Sequence, residues 1–159
     1  MALTLSSPML TVGGEVPERF TCLGEDISPP LDWDGAPSST HSLALTLRDP
    51  DAPRGTFTHW LVYNLPADSS GLMEGIPSDR QLPNGAYQGT NSFGKIGYGG
   101  PCPPAGPAHR YIFTLYALKQ APTLQPGADI DDFLHAIDGQ IADQTELTTL
   151  FARPHETRV

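Results

Sequence analysis

Two carboxylates in a rigid turn are the first residues whose spacing suggests a functional site. Asp49 and Asp51 belong to the segment Asp49-Pro50-Asp51-Ala52-Pro53, which directly follows an apolar stretch. Proline fixes its own backbone and restricts the residue before it, so this turn can hold both side chains in set directions. A tight turn of this kind also predicts a cis peptide bond at Ala52–Pro53 or a neighbouring position. The alternative is a turn whose aspartates only cap nearby backbone amides.

Two histidines stand at the starts of later apolar stretches. His59 begins one of them, and His109 begins another after the Gly- and Pro-rich segment 99–107. Sandwich and barrel folds place loops and ligands at strand ends, so we expect both imidazoles near Asp49. Strand alternation puts Tyr111 on the same face as His109. A hydrogen-bonded structural role explains either histidine alone equally well, and surface positions are expected for His41, His135 and His155.

These residue types fit three kinds of site. Imidazoles and backbone amides can donate hydrogen bonds to a phosphate monoester or a phospholipid headgroup, as in a binding or regulatory protein. Asp49 and His59 can serve as the acid–base pair of a hydrolase, although no nucleophile motif marks a Ser or Cys. Asp49, His59 and His109 are also metal-ligand types, but the H-E-x-x-H spacing is missing. We predict neither a metal nor a cofactor, and binding is favoured over catalysis.

The segment Gly89–Lys95 satisfies the G-x-x-x-x-G-K part of a phosphate-binding P-loop. A complete motif continues with a Ser or Thr that binds magnesium and opens a helix whose amides hold the phosphates. Ile96 takes the place of that hydroxyl here, and three glycines and a proline follow within residues 97–101. The sequence therefore argues against an NTPase.

Most of the chain reads as β-structure. Central strands are predicted at Ser42–Arg48, His59–Leu65 and His109–Leu118, which are apolar or aromatic and bounded by Pro or Gly. Weaker candidates are Leu3–Ser6, the region around Phe20 and a short strand that carries Trp33. We expect an antiparallel, β-sandwich-like fold with a few peripheral helices.

Two of those helices are predicted near the carboxyl end. Asp129 can cap the first, in which five residues share one apolar face: Ile130, Phe133, Leu134, Ile137 and Ile141. Asp143 and Glu146 resemble a capping box for a second short helix. Because the helices add more apolar surface than one small core is expected to bury, they predict a homodimer.

Composition narrows the class of protein. The 159 residues include 16 Gly and 17 Pro, which is typical of a loop-rich globule, and we expect one domain over 1–159. The formal net charge of -9 makes nucleic acid an unfavourable partner. Without a basic, signal-like start or a run of about 18 apolar residues, we expect a cytoplasmic protein with no transmembrane segment. Cys22 and Cys102 are predicted to be free thiols, because a chain of this size needs no crosslink.

Four segments, in this order, resemble the phosphatidylethanolamine-binding protein (PEBP) family, in its bacterial Raf kinase inhibitor-like branch. They are FTCLGEDISPPLDW (20–33), DPDAP (49–53), THW (58–60) and GYGGPCPP…HRY (97–111). The resemblance covers roughly residues 2–153. It implies a central antiparallel sheet packed on a smaller one, with a small anion pocket at one end.

The resemblance also implies the residues of that pocket. Seven match the family's ligand-binding pattern: Asp49, Pro53, His59, Gly100, Pro101, His109 and Tyr111. Asp51 and Arg110 are expected to brace them, and Phe57 falls where animal members have a tryptophan in the pocket wall. The implied ligand is a phosphorylated small molecule or a phospho-group of a protein partner. A hydrolase that uses the same Asp and His residues is the alternative function.

Overall fold

Two antiparallel sheets form the framework of the protein, whose computed structural model describes residues 2–154. The strands are β1 (Thr4–Ser6), β2 (Leu31–Asp34), β3 (Ser42–Asp49), β4 (Phe57–Pro66), β5 (Gly71–Leu72), β6 (Tyr87–Gln88), β7 (His109–Leu118) and β8 (Ile141–Phe151). A short 3-10 helix covers Glu18–Phe20, and helix α1 covers Ile130–Ile137. The smaller sheet has the order β1-β2-β5, and the larger has the order β6-β4-β3-β7-β8. The expected mainly β fold of antiparallel sheets is confirmed.

Alternating side chains of β3 face two separate cores. Leu43, Leu45 and Leu47 pack in the core that also contains Trp33 of the smaller sheet, whereas Ala44 belongs to a second core. The central strands are therefore covered on both faces, and β3 and β4 are buried along almost their whole length. This double burial fixes the strands whose ends carry the candidate site.

Helix α1 closes the second core. The Asp129 side chain accepts a hydrogen bond from the backbone N–H of Asp132, so the predicted N-cap is confirmed. Phe133 and Ile137 are buried against the sheet. The helix thus places much of its apolar face on its own chain rather than leaving it for a second copy, and the homodimer stays a prediction. Within residues 2–154, no helix combines the length and apolar character needed to cross a membrane.

The prediction of a second carboxyl-terminal helix is wrong. Residues 141–151 form β8, which pairs with β7 from Leu118↔Ile141 to His109↔Phe151. Leu147, Thr149 and Phe151 are buried at alternate positions, the two-residue period of a strand. Gly139, with φ +76°, allows the turn between α1 and β8, so Ile141 does not continue the helical face. The β7 ladder overrides the local resemblance of Asp143 and Glu146 to a capping box.

Three further expectations are corrected by the structure. Cys22 and Cys102 form a disulfide, with Cα atoms 5.4 Å apart, instead of two free thiols. The fold brings together thiols that lie 80 positions apart, which spacing in the sequence does not reveal. No peptide bond within residues 2–154 is cis, so the cis bond predicted at Ala52–Pro53 is absent. The weak strand predicted around Phe20 is the 3-10 helix.

The packing of α1 leads to a stability prediction. Phe133→Ala should destabilise the protein by about 3 kcal/mol or more, because truncating a fully buried aromatic leaves a cavity against Tyr63 and Tyr116. His135→Ala, at an exposed position on the same helix, should change stability by less than about 0.5 kcal/mol. Urea unfolding followed by circular dichroism measures both. Equal, small losses would contradict the assigned packing of α1.

Candidate functional site

A pocket of about 180 Å³ opens where β3 ends and where β4 and β7 begin. Its lining combines strand ends, the turn after β3 and a loop: Asp49, Ala52, Pro53, Phe57, His59, Phe93, Cys102, Pro103, Pro104, His109 and Tyr111. The structure thus brings together five of the seven predicted ligand-binding residues. Gly100 and Pro101, the other two, are not among the lining residues.

A buried carboxylate orients one imidazole of the pocket. Asp49 Oδ2 lies 2.6 Å from His109 Nδ1, and the Asp49 side chain is only 4% exposed. Asp49 Oδ1 accepts a second hydrogen bond, of 2.8 Å, from the backbone N–H of Asp51. Because a carboxylate accepts hydrogen bonds, Nδ1 of His109 carries the proton. The remaining ring nitrogen, Nε2, is then the atom that His109 can direct at a ligand.

His59 has a different electrostatic environment. Its Nδ1 donates a 2.7 Å hydrogen bond to the carbonyl of Gly99, whose own N–H donates back to the His59 carbonyl at 2.9 Å. The residue is 3% exposed, and burial lowers the pKa of the imidazole below its usual 6.5. Neutral His59 therefore presents Nε2 as a hydrogen-bond acceptor. The two histidines are not the equivalent anion donors that the sequence suggested.

Tyr111 packs against both imidazoles. Its ring centroid lies 5.3 Å from that of His59 at a steep angle, and 6.3 Å from that of His109 in a nearly parallel arrangement. Burial first, and the negative charge of Asp49 second, raise the pKa of the Tyr111 hydroxyl. Tyr111 consequently stays a neutral phenol at physiological pH and supplies an O–H group.

An aromatic wall completes one side of the pocket. The rings of Phe57 and Phe93 meet edge to face, with centroids 4.7 Å apart, and Phe93 remains 45% exposed. Asn91 Oδ1 accepts hydrogen bonds from the backbone N–H groups of Phe93 and Lys95, at 2.9 and 3.2 Å. The segment that resembled a P-loop is thus an Asn-stabilised turn that presents Phe93. Sequence reasoning missed this residue, although the Asn91–Gly94 pattern is a recognisable turn signal.

The loop of residues 99–107, here called the proline loop, forms the opposite wall. Gly100 donates a 2.8 Å hydrogen bond to Asp26 Oδ1, and a Cβ at this position would come within 2.2 Å of the Phe20 carbonyl oxygen. The Pro101 carbonyl accepts a 3.1 Å hydrogen bond from Cys22 N–H. Gly100 and Pro101 therefore attach the loop to the segment that contains Cys22 and Asp26. The later residues Cys102, Pro103 and Pro104 line the pocket.

Asp51 and Arg110 form an exposed brace beside the pocket. Arg110 donates through its backbone N–H and Nε to Asp51 Oδ2, at 2.9 and 3.0 Å, and through Nη2 to Oδ1 at 2.9 Å. The guanidinium lowers the pKa of the Asp51 carboxyl to about 2. This pair joins the turn after β3 to the start of β7 and keeps Asp49 beside His109. The supporting role of Asp51 and Arg110 at the pocket stays a prediction.

Comparison with known proteins defines the class to which this fold and pocket belong. The profile of the family described as phosphatidylethanolamine-binding protein matches residues 6–152. A protein of Methanothermobacter thermautotrophicus described as a UPF0098 protein is 50% identical over 140 residues, which cover 88% of this chain and 92% of that protein. The chain belongs to the phosphatidylethanolamine-binding protein family.

Solved structures agree with this assignment. YbcL of Escherichia coli, described as a new member of the mammalian PEBP family, superposes with a TM-score of 0.89 at 31% identity. The alignment covers 97% of this chain and all of YbcL. CT736 of Chlamydia trachomatis, described as a PEBP homologue, gives a TM-score of 0.87 at 37% identity and covers 96% of this chain and 99% of its own.

The environment of His59 generates a pH prediction. In the unfolded chain a histidine takes up a proton near pH 6.5, whereas folded His59 does so only at lower pH. The folded state should therefore lose stability as pH falls from about 6.5 through the pKa of folded His59. Urea unfolding at closely spaced pH values should show a shallower decline for His59→Gln than for wild type. His135→Gln, at an exposed position, should keep the wild-type slope, and identical slopes in all three proteins would contradict a buried neutral His59.

Proposed function

We propose that the pocket binds a small phosphorylated ligand without turning it over. The ligand class comprises phosphate monoesters, phospholipid headgroups and phospho-groups of a protein partner, and the role is regulatory. The observation that carries the proposal is the convergence of His109, oriented by Asp49, with the Tyr111 hydroxyl in one small pocket. The Tyr111 hydroxyl can donate a hydrogen bond to a phosphate oxygen, and His109 can do so from Nε2 in its imidazolium form.

Neutral His59 adds selectivity for the protonation state of the ligand. Its Nε2 can accept a hydrogen bond from a P–OH group or from the ammonium of an ethanolamine headgroup. An arrangement of donors beside one acceptor suits a monoprotonated phosphate ester better than a fully ionised one. His59 and His109 therefore have complementary roles in the proposed site.

The wider charge distribution also favours an anion. Although the chain has a net charge of -9, Arg54 follows the lining residue Pro53, and Lys95 lies two positions after Phe93. Cations close to a pocket act on a small ligand more strongly than distant acidic groups, which solvent and salt screen. The acidic character of the whole protein is therefore compatible with anion binding.

Catalysis has less support than binding. The residues that line the pocket include no Ser, Thr or Lys, and Cys102 is part of a disulfide. Among residues 2–154, no group of three or more His, Cys, Asp or Glu side chains is arranged to hold a metal ion. A hydrolase would have to activate water with the Asp49–His109 pair. Release of inorganic phosphate from the ligands used below would favour that alternative.

Location and assembly remain predictions within this proposal. The sequence predicts a cytoplasmic location. The Cys22–Cys102 disulfide argues against that prediction, because disulfides persist mainly in oxidising compartments. A homodimer is compatible with the site, which one chain forms from its own residues. Light scattering at high protein concentration distinguishes a dimer from a monomer.

Titration by NMR tests the binding proposal. O-phosphorylethanolamine should shift pocket resonances of the wild-type protein at millimolar concentration, since a headgroup-sized ligand makes few contacts. His59→Ala and His109→Ala should each weaken binding by about tenfold, the effect expected for one lost hydrogen bond to a charged group. His135→Ala serves as the histidine control, and ethanolamine serves as the ligand control without phosphate. Absence of pocket shifts, or equal affinity in all variants, would refute the site assignment.

The exposed aromatic wall predicts ligand preference. Phe93→Ala should weaken binding of phenyl phosphate by about fivefold, because an aromatic contact contributes about 1 kcal/mol beyond the area it buries. Methyl phosphate has no ring that could contact Phe93. Its affinity should therefore differ by less than twofold between Phe93→Ala and wild type. Isothermal titration of both ligands measures the difference. A uniform loss for the two compounds would mean that Phe93 only shapes the fold of its turn.

A further inference from the structure

The wall formed by the proline loop depends on a small number of attachments. Its four prolines have no N–H groups to donate, so the loop cannot be held by a regular hydrogen-bond ladder. Gly100 and the Pro101 carbonyl fix its beginning, through Asp26 and Cys22. The next attachments are the Cys22–Cys102 disulfide and a 2.9 Å hydrogen bond from Arg153 Nε to the Pro103 carbonyl. The disulfide is therefore the covalent part of the wall that lines the pocket.

Arg153 places a positive charge against both sulfur atoms. Its Nη2 lies 3.3 Å from Cys102 Sγ and 3.8 Å from Cys22 Sγ. The bond from Nε to the Pro103 carbonyl holds the guanidinium in this position. A cation beside a cysteine stabilises the thiolate, and a stabilised thiolate is a better leaving group in thiol–disulfide exchange. Cys102 is exposed on the pocket side, whereas Cys22 is partly buried, so the two sulfurs differ in access.

We infer that Cys22–Cys102 is a thiol–disulfide exchange site whose oxidation state controls the wall of the pocket. A thiolate of a dithiol reductant attacks Cys102 Sγ, the S–S bond breaks, and Cys22 leaves as a thiolate stabilised by Arg153. The second thiol of the reductant then attacks the mixed disulfide and releases Cys102. The protein pair gains two electrons and two protons, and the reductant becomes a cyclic disulfide. Oxidation of the two thiols by a disulfide of the same class reverses the steps.

Reduction acts on the pocket through the proline loop. Reduction removes the covalent attachment of the loop segment Cys102–Pro104. This segment is then held by the hydrogen bonds that the Pro101 carbonyl accepts from Cys22 and the Pro103 carbonyl accepts from Arg153. The strand side is held by the pairing of Asp49 with β4, the pairing of His109 and Tyr111 with β8, and the Asp49–His109 hydrogen bond, none of which includes the disulfide. Ligand binding should consequently weaken on reduction while the fold persists. This consequence rests on the proposed binding function, whereas the exchange chemistry does not.

Trapping identifies the sulfur that is attacked. The native protein is treated with a limiting amount of 2-mercaptoethanol, quenched with N-ethylmaleimide, digested and analysed by mass spectrometry. The expected mixed disulfide lies on Cys102, with the maleimide on Cys22. The reverse labelling, or a disulfide that reacts only in denaturant, would overturn the inference.

Variants of Arg153 test the role of its charge. Reduction of Arg153→Gln by dithiothreitol should be about threefold slower than that of wild type, because the leaving thiolate loses its cation. Arg153→Lys keeps the charge and should retain a rate near that of wild type. Arg80→Ala, which removes an exposed arginine distant in sequence from both cysteines, is the control. Equal rates in Arg153→Gln and Arg153→Lys would remove Arg153 from the mechanism.

NMR of wild-type protein, before and after reduction, separates this inference from the proposed function. Resonances of Pro103, Pro104 and His59 should shift on reduction without any ligand, while those of α1 should not. Phenyl phosphate should then bind the reduced protein at least threefold more weakly. If the resonances shift but neither form binds phosphate esters, the proposed function fails and the exchange site stands. If the oxidised form binds and reduction alters neither the resonances nor the affinity, control of the pocket by the disulfide is refuted.

Discussion

The pairing of β3 with both β4 and β7 is the constraint on which the site depends. Asp49 lies opposite Phe57 at the β3–β4 edge, and Arg48 lies opposite Ile112 of β7. This register brings the end of β3 and the starts of both neighbours to one edge of the larger sheet. A one-residue slip would turn every side chain of a strand to the opposite face. The two apolar cores oppose such a slip, because neighbouring residues of β3 are buried in different cores and would exchange places.

The buried carboxylate of Asp49 adds a polar constraint at that edge. Burying an ionised group is costly unless hydrogen bonds replace its lost hydration. Asp49 receives one bond from His109 and another from the backbone of Asp51. These partners come from different segments, so satisfying the carboxylate also fixes the turn after β3 against β7. The same bonds that stabilise Asp49 therefore orient His109 toward the pocket.

Local sequence patterns predicted the parts of the structure whose partners are close in the chain or whose periodicity is strong. The limits of β7 are those predicted, and Asp129 caps α1 as expected. Prediction was wrong for β8, because its polar sequence forms a strand through the ladder with β7 rather than through strong intrinsic preference. Tertiary pairing of this kind routinely overrides local propensity.

The site shows the same division between local signals and distant contacts. Residue type and strand position were enough to select four candidates, and the family resemblance indicated that they belong to one pocket: Asp49, His59, His109 and Tyr111. The distinct roles of the two histidines could not be predicted from the sequence, since the protonation of His59 depends on its burial and on the Gly99 carbonyl. The disulfide and the position of Phe93 at the pocket depend on loops that meet only in the folded chain.

The pocket therefore has two kinds of wall with different mechanical origins. Strand ends supply the wall that carries the hydrogen-bonding groups, and their geometry is fixed by the same packing that stabilises the fold. Turns and the proline loop supply the apolar walls, whose positions depend on a crosslink, an arginine and an asparagine-stabilised turn. Sequence changes in the loops can thus alter the apolar walls without disturbing the strand-end groups that we propose to bind an anion. In a protein built in this way, the proposed ligand preference and the proposed response to thiols can change while the hydrogen-bonding groups at the strand ends stay in place.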